Sequence, residues 1–436
     1  MRALVLNHCA YNKGDRAVLT FVVRELARNG VDHVDVSMNE PRFWRVEDLQ
    51  HGASVTVLPF GWNVSRLHGP MRLWSAVRWR AHRRVAYPAL KRRLLSGGPP
   101  RLGGAVLCHP AVRRALDACD LAVVTGGHHV TTLLGEDAVV PQLYNMGLAL
   151  LARRPLLLWS QSIGPLAFGD PSDHRLTEHI LRAASATYPR DAPSYTEAIR
   201  LGVDPERVHL TPESVIGLDD AVDERLPPLA REPVVGISVY NKRRTPDELR
   251  RYVEALACLV DHILSLGLTP RFHPMEMKGC NDDRWLISAV LEAATRGRSC
   301  DVVDADLTTL DHLREVAACR FYVGHKTHSV IFALVAATPL VAIAYHPKTR
   351  DFMWQYGLEH LCLDEDDADG PALVDTFERL RGGDVERLSS DIAARGSELG
   401  ATVRRDFADM LGSVAGGDPA PTPSRAGQGG ACPAPK

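Results

Sequence analysis

Short apolar runs alternate along most of this chain with longer stretches whose apolar positions recur at helical spacing. In the first half, strand-like runs fall at residues 3–6, 121–125, 156–160 and 208–212. Helical periods fall at 16–28, closed by Asn29-Gly30, and at 142–153 and 172–185. In the second half, strands at 234–239, 269–273, 302–303, 321–323 and 340–344 alternate with helices at 246–266, 282–296, 309–319 and 328–337. Two more helices, 371–381 and 384–411, follow. Uninterrupted apolar strands bounded by Gly and Pro suit parallel sheets covered on both faces. Residues 219–233 are rich in charge and proline and carry no period, which marks a linker.

The expected fold class is therefore α/β, with two doubly wound, Rossmann-like domains facing a crevice in a GT-B-like arrangement. The domains span 1–220 and 234–413 with a linker at 221–233, and a tail at 414–436, rich in Pro, Gly, Ala and Ser, is expected to be disordered.

One region breaks this rhythm and is read as an insertion at about 60–104. From Leu49 to Leu116 there are no acidic residues and twelve Arg or Lys, interleaved with Trp62, Trp74 and Trp79. Trp74, Val77, Ala81 and Val85 fall at helical spacing with Arg between them, which predicts a basic amphipathic helix. Such a helix either docks on the protein by its apolar stripe, or meets an acidic acceptor or an anionic membrane surface. Elsewhere the charge is balanced: the net value of −2 implies no bulk attraction to nucleic acid. The nine cysteines show no paired C-x-x-C spacing. The opening residues run straight into a strand without a signal-peptide pattern. A cytoplasmic protein with reduced thiols is expected, peripheral to the inner face of the membrane if the basic insert engages it.

Candidate chemistry collects where strands end. His325, Lys326 and His328 follow 321–323, and His346, Lys348 and Arg350 follow 340–344. Neighbouring strand ends would aim these groups at one point, and a helix beginning near His328 would add its N-terminal amides, making an anion site. Gly126-Gly127 permits close approach to a ligand. In the first loop Gly14 makes a turn, and Asp15 caps the helix or meets substrate, two roles that are compatible. His128-His129 lacks a third ligand, so no metal is expected.

Five segments resemble, in order, the polysaccharide pyruvyl transferase family over residues 1–365. They are Asn12-Lys13-Gly14-Asp15, Gly126-Gly127, Gln161-Ser162-Ile163-Gly164-Pro165, Arg190-Asp191 with Ser194, and the stretch from Lys326 and His328 through Pro339 to Tyr345 and Lys348. The resemblance implies a transferase that moves pyruvate from phosphoenolpyruvate onto saccharide hydroxyls as a ketal, in polysaccharide or cell-envelope biosynthesis. Phosphoenolpyruvate is then the donor substrate and no cofactor is needed. It further implies Arg190 and Lys348, with Lys326 nearby, as phosphoenolpyruvate ligands and His328 as the general acid. Asn12, Asp15, Gly126, Gly127, His128, Gln161 and Ser162 would line the acceptor side or the crevice.

The chain departs from the family pattern at His128, where many members have Gly, at Glu213, where Asp is common, and at Lys326, usually Arg; a lysine there keeps the charge and loses the planar fork. Two other readings stay open: a glycosyltransferase using a nucleotide sugar, and a binding protein that kept the fold. The Arg190, His328 and Lys348 set suits a small di- or trianion better than a base and ribose. Lipid-linked saccharide, free polymer, glycosylated metabolite and teichoic-type chain are all compatible acceptors, and the oligomeric state is not encoded.

Overall fold

The computed structural model describes residues 1–9, 12–39, 41, 52–62, 71–96, 106–133, 135–222, 226–242, 244–278 and 282–415. The expected tail from 416 onward, residues 223–225 of the expected linker, and residues 63–70 and 97–104 of the expected insertion lie outside the described residues.

The first sheet contains β1 (Arg2–His8), β2 (His33–Met38), β3 (Ser54–Pro59), β4 (Leu121–Val124), β5 (Gly127–Val130), β6 (Leu156–Ile163) and β7 (Ala186–Pro189). The second contains β8 (Glu232–Ile237), β9 (Thr269–Phe272), β10 (Asp301–Val302), β11 (Cys319–Gly324), β12 (Leu340–Ala344) and β13 (Cys362–Asp364). Every pairing is parallel. Along the first sheet the order runs β3-β2-β1-β4-β6, with β5 and β7 also paired to β6; along the second it runs β10-β9-β8-β11-β12-β13. Strand order reverses between β1 and β4 in one sheet and between β8 and β11 in the other. Ligands of doubly wound sheets bind outside the carboxyl ends of strands at these switch points. The backbone joins them directly: Lys13 N–H donates to Met275 C=O at 3.1 Å, and Asn12 bridges Glu276.

Several expected elements differ from those observed. β2 and β3 occupy stretches to which no element was assigned from the sequence. β6 runs on through Gln161, Ser162 and Ile163, expected as a loop, because β5 and β7 supply partners to its last residues. The expected strand at 208–212 reduces to one bridge, Thr187 to Val208. Lys348 and Arg350, expected in a loop, lie on the helix Pro347–Gln355, whose N-cap His346 accepts the Lys348 N–H at 3.2 Å. Asn12 rather than Asp15 caps the helix Lys13–Arg28, accepting the Gly14 N–H at 2.7 Å.

In the basic region the helices Met71–Ala81 and Tyr87–Leu95 are joined by a π-turn over His82–Ala86. The docked stripe is not the expected one. Val77 and Val85 are exposed, while His82, Ala86, Tyr87, Leu90 and Leu94 are buried. A π-turn adds a residue to the helical turn and so shifts which side chains share a face. His82 stacks on Trp62 at 5.4 Å and anchors the rod.

One apolar cluster runs through both domains, and a second lies within the first domain. The last described helix, Val385–Ala415, returns from the second domain and packs on residues 214–221 of the first. Phe407 from this helix meets Trp159 edge-on at 4.8 Å and Phe21 at 5.6 Å. Trp159 N–H in turn donates to Ser214 Oγ at 3.0 Å. Arg404 closes the seam on Asp219 and on the Gly217 carbonyl. Phe407→Ala should therefore lower stability by about 3–5 kcal/mol, as expected for a fully buried Phe. Urea unfolding monitored by Trp fluorescence checks this, and an unchanged midpoint would refute the aromatic staple.

Candidate functional site

On the first domain the site is built at the ends of β6 and β7. Arg190 follows β7, and its backbone N–H is held by Gln161 C=O at 3.2 Å. Its buried guanidinium donates from Nε to Ser162 Oγ at 2.9 Å and from Nη1 to Glu213 at 2.7 Å. Nη2 meets His128 Nε2 at 3.1 Å. Glu213 is itself 2 % exposed and also accepts the Ser214 N–H. Burial alone would raise the Glu213 pKa, but Arg190 above all, by charge and hydrogen bond, and Lys348 outweigh it and hold the carboxyl below its usual range. For His128, desolvation by the crevice walls and then the Arg190 charge push the pKa far down, leaving Nε2 as an acceptor.

From the second domain Lys348 reaches across the crevice. Its Nζ donates to Ser162 Oγ at 2.7 Å and pairs with Asp191 at 2.9 Å. Ser162 thus accepts from cations of both domains. Burial, then Arg190, lowers the Lys348 pKa, while Asp191 opposes the shift. Arg190 uses three of its five N–H donors on these partners and Lys348 two of its three. Among the described residues the remaining donors of the two cations have no hydrogen-bond partner, and the start of the helix Thr327–Val335 has no side-chain cap.

His328 lies in the first turn of that helix, with its ring against Gly14. A Cβ at Gly14 would sit 2.1 Å from the His328 Cγ, so only glycine allows the domains to approach this closely. Burial, Arg190, Lys348 and Lys326 lower the His328 pKa to about 4 against the opposing pull of Glu213. Asp15, next to Gly14, moves the other way. Burial, together with Glu276 and Glu213, raises its pKa to about 7 although Arg190 opposes. A neutral imidazole and a carboxyl titrating near neutrality thus share the crevice. Environments that push titratable groups apart are typical of acid–base sites.

Other sequence-predicted residues stand elsewhere. The Lys326 ammonium is buried and bound by both Asp283 oxygens at 3.0 Å. Asp283 also accepts the Met275 and Glu276 N–H groups, so Lys326 props up the turn that Asn12 grips through Glu276 at 3.1 Å. Gln161 turns into the sheet and donates to Trp159 C=O at 2.8 Å and to Thr125 C=O. Gly126 lies against Ser160 and Val18, and Gly127, at φ 148°, lies over the His129 ring; both shape the crevice floor. Sequence reasoning assigned no partner to Arg190 or Lys348; Glu213 and Asp191 fill those places. The departure at Glu213 and the place of Asp191 in the Arg190-Asp191 segment were their visible signals. Among the described residues, no group of three His, Cys, Asp or Glu is placed to hold a metal ion.

A family model described as polysaccharide pyruvyl transferase matches residues 12–347. Among solved structures, a Listeria monocytogenes chain proposed as a UDP-N-acetylglucosamine 2-epimerase is similar at TM-score 0.58 and 11% identity, covering 96% of this chain and 98% of that one. The UDP-GlcNAc 2-epimerase of Neisseria meningitidis, bound to UDP-GlcNAc, gives TM-score 0.55 and 8% identity over 94% and 99%. Anabaena HepE, in complex with UDP and glucose, gives 0.52 and 14% over 95% and 100%. At such identities the likeness is one of fold, and it establishes the GT-B-like arrangement of two α/β domains.

The two shifted groups pull stability in opposite directions with pH. Unfolded His binds a proton below about 6.5, and folded His328 does so only near 4; its contribution to stability is lost as pH falls through that window. Folded Asp15 keeps its proton to about 7, and an unfolded Asp releases it near 3.9; its contribution is lost as pH rises between those values. Asp15→Asn should raise the urea midpoint relative to the parent at pH 8 and leave it unchanged at pH 3.5, conditions chosen from those reference values. Equal midpoints at pH 8 would contradict the raised carboxyl.

Proposed function

The chain belongs to the polysaccharide pyruvyl transferase family, and from that premise we propose that it moves pyruvate from phosphoenolpyruvate onto two hydroxyls of a saccharide, closing a pyruvyl ketal. The observation that carries this reading is the meeting of Arg190 and Lys348, one from each domain, on Ser162 Oγ in the crevice that His328 lines. Phosphoenolpyruvate is small and multiply anionic, and its phosphate and carboxylate match two fixed cations with donors to spare. The acceptor saccharide, in free, polymeric or lipid-linked form, enters on the side of Asn12 and Asp15.

In the proposed sequence His328 protonates the vinyl C3, and C2 becomes an oxocarbenium-like electrophile. A first hydroxyl adds to C2 as Asp15 takes its proton. Phosphate then leaves C2, and the second hydroxyl closes the ring. The two hydroxyl protons are balanced by the new methyl C–H and by the released phosphate. His328 is neutral in the resting site, so it must be charged before it can act. The donor's negative charge offsets Arg190 and Lys348 and raises the imidazole pKa, coupling protonation to donor binding.

With phosphoenolpyruvate and an acceptor glycan, phosphate release should match the growth of a ketal methyl signal by NMR. His328→Gln should lower kcat by about 10²- to 10⁴-fold while donor binding persists. Full turnover by that variant, or sugar transfer from a nucleotide sugar without ketal, would overturn the proposal. Donor binding should also take up a proton, seen as a calorimetric heat that depends on buffer ionisation enthalpy, and His328→Gln should diminish this dependence, leaving the share that Asp15 takes up.

A further inference from the structure

The helical rod built from Met71–Ala81, His82–Ala86 and Tyr87–Leu95 carries two populations of cations. Those facing the protein are paired: Arg83 with Glu136 at 3.5 Å, and Lys91 with Asp170 at 2.8 Å and Asp173 at 2.6 Å. Those facing outward are not. Among the described residues Arg80, Arg84 and Arg92 are exposed and have no acidic partner. On the same outer side Val77 is 47%, Val85 51% and Leu95 37% exposed. Val85 lies outward with Val77, while His82 and Ala86 of the π-turn are buried.

We propose that this face seats the protein on an anionic lipid bilayer, with the arginines on lipid phosphates and Val77, Val85 and Leu95 in the headgroup region. Three observations favour a membrane over a protein or nucleic-acid partner. The face is the outside of a rod rather than a groove. Its apolar and cationic residues are interleaved, which suits a surface that is charged at the top and apolar below. Among the described side chains its aromatic rings are turned inward: Trp79 lies 6.1 Å from Trp62 and Tyr87 6.0 Å, so neither is offered for stacking on bases. The whole chain carries a net −2, so the attraction is local to this face. The rod packs on the helix Glu136–Leu151, which follows β5 and its His128, so attachment would hold the crevice near the bilayer.

Sedimentation of the full chain with vesicles tests this. The protein should pellet with vesicles of phosphatidylcholine and phosphatidylglycerol and not with phosphatidylcholine alone. Pelleting should disappear in about 1 M salt, where the screening length is about 3 Å. The variant Arg80→Glu/Arg84→Glu/Arg92→Glu should lose binding on the order of tenfold or more, and Val77→Asp/Val85→Asp should also weaken it. Arg250→Glu/Arg314→Glu/Arg387→Glu makes the same change in net charge on the exposed surface of the other domain and should leave binding intact. No pelleting of the parent, equal pelleting with neutral vesicles, or equal losses in the two charge-reversed variants would overturn the proposal.

Discussion

Two like charges held close together and partly shielded from water govern this site. Arg190 and Lys348 come from different domains, yet both donate to Ser162 Oγ, at 2.9 and 2.7 Å. Such an approach is unfavourable unless each cation is compensated, and a buried charge that loses its partner typically costs about 3–5 kcal/mol. Glu213 compensates Arg190 and Asp191 compensates Lys348. The resting crevice is therefore balanced, while donors on both cations remain unused. An incoming dianion meets a site whose cations are already fixed in place, so little reorganisation is left to its binding.

That arrangement requires the domains to stay close, and three sets of contacts keep them so. Asn12 and Lys13 grip the Met275–Glu276 turn, which Lys326 and Asp283 support from behind. Arg16 forks onto Asp306 at 2.8 and 3.2 Å, and Lys278 shares that carboxylate. The returning helix Val385–Ala415 adds the aromatic cluster of Phe21, Trp159 and Phe407. Against this background the absence of a side chain at Gly14 matters, because the His328 ring occupies that space. The same closeness dries the site and drives the His328 and Asp15 pKa values in opposite directions.

Alternation of apolar runs and helical periods was sufficient to read two doubly wound domains from sequence, because strands buried on both faces leave a strong signal. The strands β2 and β3, at one end of the first sheet, were missed. Their signal was the period-two pattern of Val34, Val36 and Met38, and of Val55 and Val57, which is weaker over short lengths. Arg190, His328 and Lys348 were singled out through motif resemblance, and the structure places all three on one crevice. Their counter-charges were not legible: Glu213 lies 23 residues from Arg190, and only folding shows that the two meet. Lys326 looked available because its partner Asp283 is 43 residues away. Gln161 looked like a loop residue because the strand β5, which extends the pairing of β6, was not foreseen.

The most direct test is calorimetric titration of phosphoenolpyruvate, beside a panel of nucleotide sugars, into the parent protein, Arg190→Ala and Lys348→Ala. Convergence of the two cations on one small anion predicts that phosphoenolpyruvate alone binds the parent. Each substitution should then weaken it by about 10- to 100-fold, the range expected when a charged hydrogen bond is lost. Binding of a nucleotide sugar in its place, or phosphoenolpyruvate affinity unchanged by both substitutions, would contradict it.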